Sequence, residues 1–326
     1  MKLRSFGKTG LRVSEIGFGA WALGESWWGK QDDGESLKAL HRAAELGANF
    51  IDTAQVYGDG RSESVVAKFR KEWKGDLIIA TKTAPEAGAW PPSPYDPPSV
   101  AFSPAYLRKN VEERLKSLQT DCIDILQLHC WTRAWNRNPE PFVTLRQLQK
   151  EGKIKLIGVS TPEHDQDSVV DLIKGGWVDS VQVIFNLFDQ EPVAEILPSA
   201  QEHGVGIIVR VALDEGALTG KYTRETKFPP GDFRSKYFRG ERLGRVVDHI
   251  EPIKKDVEGS GFSLTQAALK FSLSHPAVST MLVGMRNVAQ AEMNLAVSDL
   301  PELPSELALK LRRHNWRRGV WYPDHW

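Results

Sequence analysis

The sequence predicts an α/β fold, a (β/α)8 TIM barrel, and three observations carry that expectation. Short apolar runs recur at 16–19, 49–53, 77–82, 123–129, 156–160, 181–186, 206–210 and 279–284. Most are nearly continuous in Val, Ile and Leu, as parallel strands buried on both faces are. Between them lie amphipathic segments with helix punctuation, an alternation that favours a barrel over a doubly wound sheet. The chain of 326 residues also suits one barrel plus insertions, the barrel alone being about 250 residues. Length by itself would allow two domains. No linker or low-complexity tract divides the chain, so the expectation is one barrel domain over 1–326.

Taken in order, residues 1–15 precede the first strand, and Lys8-Thr9-Gly10-Leu11 reads as the turn of an N-terminal hairpin under the barrel. A helix around Ser36–Leu46 ends at Gly47, a good residue for the left-handed position after a helix. Ser103-Pro104 reads as a cap followed by proline at the first helical position, and Leu107, Val111, Leu115 and Leu118 mark one face. Helices at 195–203 and 288–295 follow the sixth and eighth strands. Two connections, 85–104 and 219–244, are long and should overlie the barrel mouth. Residues 300–326 form a C-terminal tail carrying Trp316, Trp321, Tyr322 and Trp326.

Composition excludes several classes. Forty-two basic residues balance 42 acidic ones, so nothing global favours nucleic acid. A hydrophobic content of 41% can build a large core and rules out disorder as the main state. No apolar run reaches the length of about 18 residues that a membrane span needs. Cys122 and Cys130 make neither a disulfide scaffold nor a metal-type spacing, so no metal site is expected. With no apolar core of a signal peptide at the start, the expected setting is the reducing cytoplasm.

Chemistry concentrates at the ends of the second, third and fourth strands. Asp52, Lys82 and His129 each close an apolar run, and Tyr57 follows shortly after Asp52. In a barrel the strand C-terminal ends converge on one mouth, so these four side chains can meet. A lysine ending a buried strand needs a counter-charge, which Asp52 can supply. A lysine cation beside a phenol favours phenolate, and so is expected to draw Tyr57 down toward a working pH for a general acid. His129 could orient a carbonyl oxygen. Taken singly, each residue is as readily structural: a bonded histidine, an ion pair, a packed tyrosine. Their grouping at adjacent strand ends is what favours a catalytic reading.

These residues resemble a known pattern. The run Phe50-Ile51-Asp52-Thr53-Ala54-Gln55-Val56-Tyr57-Gly58-Asp59-Gly60-Arg61-Ser62-Glu63 resembles the signature of the aldo-keto reductase superfamily, in its bacterial type. The opening Lys8–Ser14 with Gly17-Phe18-Gly19, then Ala80-Thr81-Lys82, Leu126-Gln127-Leu128-His129 and Gly216-Ala217-Leu218-Thr219-Gly220-Lys221, resemble further motifs of that family in the same order. The resemblance implies a barrel oxidoreductase that reduces an aldehyde or ketone to an alcohol with NADPH. It implies Tyr57 as proton donor, Lys82 and Asp52 as its tuning pair, and His129 as the residue orienting substrate.

The same resemblance assigns cofactor contacts. Ser160 and Gln182 match positions that hold the nicotinamide carboxamide. Thr161 stands where the family usually has Asn, and a hydroxyl cannot copy a carboxamide's two-ended pairing. Arg210 stands where many relatives stack an aromatic ring on the nicotinamide; a guanidinium can stack on a flat ring or reach an anion. Leu213, Gly216, Leu218, Gly220 and Lys221 match the segment around the pyrophosphate, with backbone N–H groups as the expected contacts. The run from Gly284 to Asn294 resembles the adenosine-phosphate motif, with Arg286 at a helix start on the 2′-phosphate of NADP and Gln290 and Asn294 facing adenine. Gly216–Lys221 is not a Walker loop, since Tyr222 replaces its Ser/Thr.

For the substrate, Trp21, Trp28, Trp90 and Trp131 lie in segments after strands and would give the pocket aromatic walls, suited to apolar or ring-shaped carbonyl compounds. Two rival functions are a nicotinamide-nucleotide-binding subunit or sensor with little turnover, and an unrelated barrel hydrolase or isomerase. The filled set of four argues against the first. The lack of a paired-carboxylate or metal set at strand ends argues against the second.

Overall fold

The computed structural model describes residues 1–25, 27–86, 90 and 92–316. Its centre is the expected barrel. Strands β3 (Ile16–Gly19), β4 (Phe50–Asp52), β5 (Ile78–Thr83), β6 (Ile123–Leu128), β7 (Ile154–Ser160), β8 (Ser180–Ile184), β9 (Gly206–Arg210) and β10 (Val278–Gly284) close in that order, with β10 returning to β3. Every neighbouring pair is parallel. Parallel pairing requires a crossover between successive strands, which the helices supply.

Ahead of the barrel, β1 (Leu3–Ser5) and β2 (Arg12–Ser14) pair as an antiparallel hairpin. Phe6 and Val13 from this hairpin are fully buried with Phe50, Ile78, Ala80, Ile125, Ile208 and Leu282 in a separate apolar cluster. That cluster fills the barrel's lower interior. The outward faces of the same strands, among them Ile51, Ile79, Leu126 and Val209, join the larger core under the helices.

Strand side chains alternate with a period of two, so two residues beyond each interior apolar position comes the next interior layer. Phe50 leads to Asp52, Ala80 to Lys82, Ile125 to Gln127 and Ile208 to Arg210. The barrel therefore changes from an apolar layer to a charged and polar one just below its mouth.

Helix punctuation acts as its chemistry requires. Ser103 accepts from the backbone N–H of Tyr106 ahead of helix Pro104–Leu118, and Gly47 adopts φ +91° after helix Asp33–Glu45. That helix starts three residues before Ser36, because the Asp32 side chain caps the N–H of Glu35. The two long connections are partly helical: Pro98–Ala101 interrupts the first and Phe233–Tyr237 the second. Among the described residues, no helix is long and apolar enough to cross a membrane. Trp321, Tyr322 and Trp326 lie outside the described residues.

Candidate active site

The upper interior layer is one hydrogen-bonded network. Lys82 Nζ donates to Asp52 Oδ1 at 2.5 Å, to the carbonyl of Thr53 at 2.9 Å and to Tyr57 Oη at 3.2 Å. The second carboxylate oxygen of Asp52 accepts from Gln127 at 3.1 Å and Gln182 at 2.9 Å. Lys82 is fully buried and Asp52 is 3% exposed. A buried ion pair persists only when its remaining lone pairs and protons are also satisfied, and the two carboxamides do this for Asp52.

Tyr57 is held by backbone contact. The short 3-10 turn Trp21–Gly24 packs against the loop after β4, and a Cβ on Gly24 would lie 2.5 Å from the carbonyl carbon of Tyr57. Gly58 answers with φ +65°, a conformation that favours glycine. The phenol thus hangs over Lys82 from a loop with no room for side chains beneath it. The His129 ring meets the Tyr57 ring edge-on with centroids 6.0 Å apart.

Electrostatics assigns protonation states. Burial pushes Tyr57 above the usual phenol value, and Asp52 adds to it; Lys82 and Arg210 oppose without prevailing. This corrects the expectation that Lys82 draws Tyr57 down: desolvation of the half-buried phenolate outweighs the cation beside it. Burial depresses Lys82, but the charges and hydrogen bonds of Asp52 and Tyr57 together raise it above the ordinary lysine value. Burial, with Lys82 and Arg210 reinforcing it, holds His129 well below 6.5. At neutral pH the site therefore holds a phenol, an ammonium and a neutral imidazole.

The remaining sequence-selected residues divide. Ser160 and Gln182 end up side by side, paired across β7 and β8, both buried. Thr161 is buried, and its hydroxyl donates to Gln166 at 3.0 Å. Its carbonyl accepts from Arg210 at 3.0 Å, which brings the Arg210 guanidinium into the mouth. In the turn after β9, the N–H groups of Gly216 and Leu218 both donate to the carbonyl of Leu213, and that of Gly220 to Ala217. The N–H groups of Gly216, Leu218 and Gly220 are thus engaged within the turn. The turn also offers shape and charge. A Cβ would strike Tyr222 Oη from Gly216, at 2.6 Å, and Leu264 from Gly220, at 2.8 Å. Lys221 follows, its ammonium held below the ordinary lysine value by burial and by the Arg234 cation.

Gly284, Arg286, Gln290 and Asn294 come together at the end of β10. Here the carboxamides shape the turn: Gln290 accepts from the Arg286 N–H at 2.8 Å and Asn294 donates to the Gly284 carbonyl at 3.2 Å. The Arg286 guanidinium reaches across to the segment after β3, donating to Gln31 Oε1 and to the carbonyl of Lys30, each at 2.9 Å.

Of the four tryptophans, three belong to the mouth. Trp21 lies 6.2 Å from the Tyr57 ring and 5.4 Å from Trp28, between centroids. Trp90 is 46% exposed and meets His129 edge-on at 4.7 Å. Trp28 is crossed by the Arg234 guanidinium at 4.8 Å. Trp131 is the exception and corrects the expectation of a pocket wall. It is 0% exposed, packed on Trp135 and Phe142, and its indole N–H donates to Asn136 at 2.7 Å. Its ring has turned outward under the helices. Trp316, in the tail, stacks on His249 at 3.8 Å.

Sequence reasoning missed Gln127, Gln166, Arg234 and the Lys30–Gln31 contact. Gln127 alone carried a signal, the two-residue phase that follows Ile125.

Comparisons with known proteins agree on one assignment. The profile of the aldo/keto reductase family matches residues 15–315. The chain is 31% identical to aldo-keto reductase YhdN of Bacillus subtilis strain 168, over 90% of this chain and 87% of that protein. It is 28% identical to the NADH-specific methylglyoxal reductase of Escherichia coli K12, over 96% of this chain and 100% of that one. Among solved structures, the holo form of an aldo-keto reductase from Bacillus halodurans aligns with a TM-score of 0.77 at 26% identity, over 100% and 99% of the two chains.

Proposed function

The chain belongs to the aldo/keto reductase family of oxidoreductases, and on that premise we propose that it reduces an aldehyde or ketone to an alcohol with NADPH, using Tyr57 as proton donor. The observation that carries this reading is the hydrogen-bonded chain Asp52–Lys82–Tyr57 with neutral His129 beside it.

The residues fit a nicotinamide nucleotide. Ser160 and Gln182 border the mouth, the buried Nε of Arg210 has no hydrogen-bond partner, and the glycine-shaped turn at Gly216 and Gly220 leads to Lys221 and Arg234. Arg286 would hold the 2′-phosphate of NADP, exchanging its contacts with Lys30 and Gln31 for charge-assisted ones. When bound, the nicotinamide supplies a hydride to the carbonyl carbon.

The chain's own residues do the rest. The Tyr57 hydroxyl, protonated at neutral pH, gives its proton to the substrate oxygen. The phenolate left behind forms 3.2 Å from the Lys82 ammonium, whose charge stabilises it where water is excluded. Asp52, fixed by Gln127 and Gln182, keeps that ammonium in place. Neutral His129 donates a ring N–H to the substrate oxygen and orients it. Trp21 and Trp90 border the same space and suit apolar or ring-bearing carbonyl compounds.

Tryptophan-fluorescence titration with NADPH and NADH, followed by turnover on a panel of carbonyl compounds, tests the proposal. Tighter NADPH binding with turnover supports it. Equal binding removes the 2′-phosphate contact. Nucleotide binding without turnover favours a cofactor-binding subunit or sensor.

A further inference from the structure

We propose that Arg210 sets the site against the oxidised, positively charged nicotinamide ring and in favour of the reduced, uncharged one. This inference rests on the reading above, in which Ser160 and Gln182 hold the ring's carboxamide.

Arg210 ends β9 two residues beyond interior Ile208 and opposite Ile184 of β8, so its side chain enters the barrel's polar layer. Its Nη2 is tied to the Thr161 carbonyl at 3.0 Å, which fixes the guanidinium next to Ser160. Its Nε is buried without a hydrogen-bond partner. Lys82 and Asp52 neutralise each other at 2.5 Å, and Tyr57 and His129 are uncharged at neutral pH. Among the described residues, Arg210 is thus the cation of this layer that Asp52 does not balance. The nearest carboxylate among the described residues, Glu163, stands 3.8 Å from Nη1 with its side chain 33% exposed, a long pair at the site's outer edge that offsets only part of the Arg210 charge. A guanidinium cannot shed its proton to relieve a repulsion. The field of Arg210 reaches both Tyr57 and His129, where it favours phenolate and neutral imidazole. A ring seated among these groups feels the same field. An aromatic side chain at this position would stack on a pyridinium, whereas a cation repels it. Repulsion between unit charges a few ångströms apart at an effective protein dielectric is sufficient for a change of about tenfold in relative affinity.

The test is equilibrium titration of wild type, Arg210→Gln and Arg210→Lys with the oxidised and the reduced form of NADP, read by tryptophan quenching. Wild type should bind the reduced form more tightly. Arg210→Gln should reduce the ratio of oxidised to reduced Kd by about tenfold, and Arg210→Lys should keep most of it. Equal weakening of both forms in Arg210→Gln would make Arg210 a strut on Thr161 and overturn the proposal, as would an unchanged ratio. Failure of wild type to bind either form overturns the cofactor site itself and this inference with it. The two failures are distinct, because the first leaves wild-type binding intact.

Discussion

The ammonium of Lys82 stands 3.2 Å from the phenol oxygen of Tyr57 while it holds Asp52 at 2.5 Å. These contacts join β4, β5 and the loop after β4, and Gln127 and Gln182 extend them to β6 and β8. One network thus braces half of the barrel wall and sets the charge beneath the phenol.

Its first consequence concerns stability. Lys82→Met removes the cation and strands the buried carboxylate of Asp52, which should cost about 3–5 kcal/mol. Pairing it with Asp52→Leu should recover a large part of that loss, since the uncompensated charge is gone. Urea unfolding of both variants measures this. Equal losses in the single and double variants would mean that the pair fills space rather than carrying balanced charge.

His129 makes stability depend on pH. Its folded-state pKa lies well below the ordinary 6.5. The unfolded chain therefore binds more protons as pH falls below 6.5, and the stabilisation present above that value is lost toward the folded-state pKa. The slope is at most about 1.4 kcal/mol per pH unit. Between about pH 7 and about pH 5.5, wild type should lose more stability than His129→Leu by urea unfolding. Parallel pH profiles would show that His129 protonates freely in the folded chain. The other histidines cancel in this comparison.

Arg286 spans two segments 255 residues apart in sequence, through its bond to Gln31. If it holds the 2′-phosphate, Arg286→Ala should weaken NADPH about 10- to 100-fold more than NADH, the range expected for charged hydrogen bonds. Side-by-side titrations read this directly. Parallel losses would leave Arg286 as a brace for the segment after β3.

The tryptophans separate fold from substrate. Trp131→Ala should cost about 3–5 kcal/mol, because a large buried ring leaves a cavity. Trp90, nearly half exposed over His129, should tolerate alanine within about 0.5 kcal/mol. The same Trp90→Ala change should raise KM for ring-bearing carbonyl compounds more than for small ones. Denaturant curves and substrate panels for the two variants distinguish the roles. An unchanged KM pattern would take Trp90 out of the pocket wall.

The barrel was legible because strands buried on both faces leave continuous apolar runs, and a charged residue ending such a run stands out, as Asp52 and Lys82 do. Gln127 was harder to see. Only its phase relative to Ile125 marks it as interior, and that phase has meaning once the barrel is closed. Helix Phe233–Tyr237 has five residues, too few for a helical period to show. Which side of the wall Trp131 would take depends on the room left by Trp135 and Phe142, and no local pattern encodes that. The direction of the Tyr57 shift also escaped, because sequence shows the neighbouring lysine but not the depth of burial. The contacts of Arg286 with Lys30 and Gln31 join segments that only the closed β10–β3 seam brings together.

The central claim is that Tyr57 protonates the substrate oxygen. Its most direct test is Tyr57→Phe, with nicotinamide absorbance followed during turnover and nucleotide Kd measured on the same preparation. Loss of general-acid catalysis should lower kcat by about 10²- to 10⁴-fold, while Kd for NADPH stays within about twofold, because the hydroxyl acts on the substrate and no nucleotide contact is removed. Turnover equal to wild type, at unchanged Kd, would contradict the account.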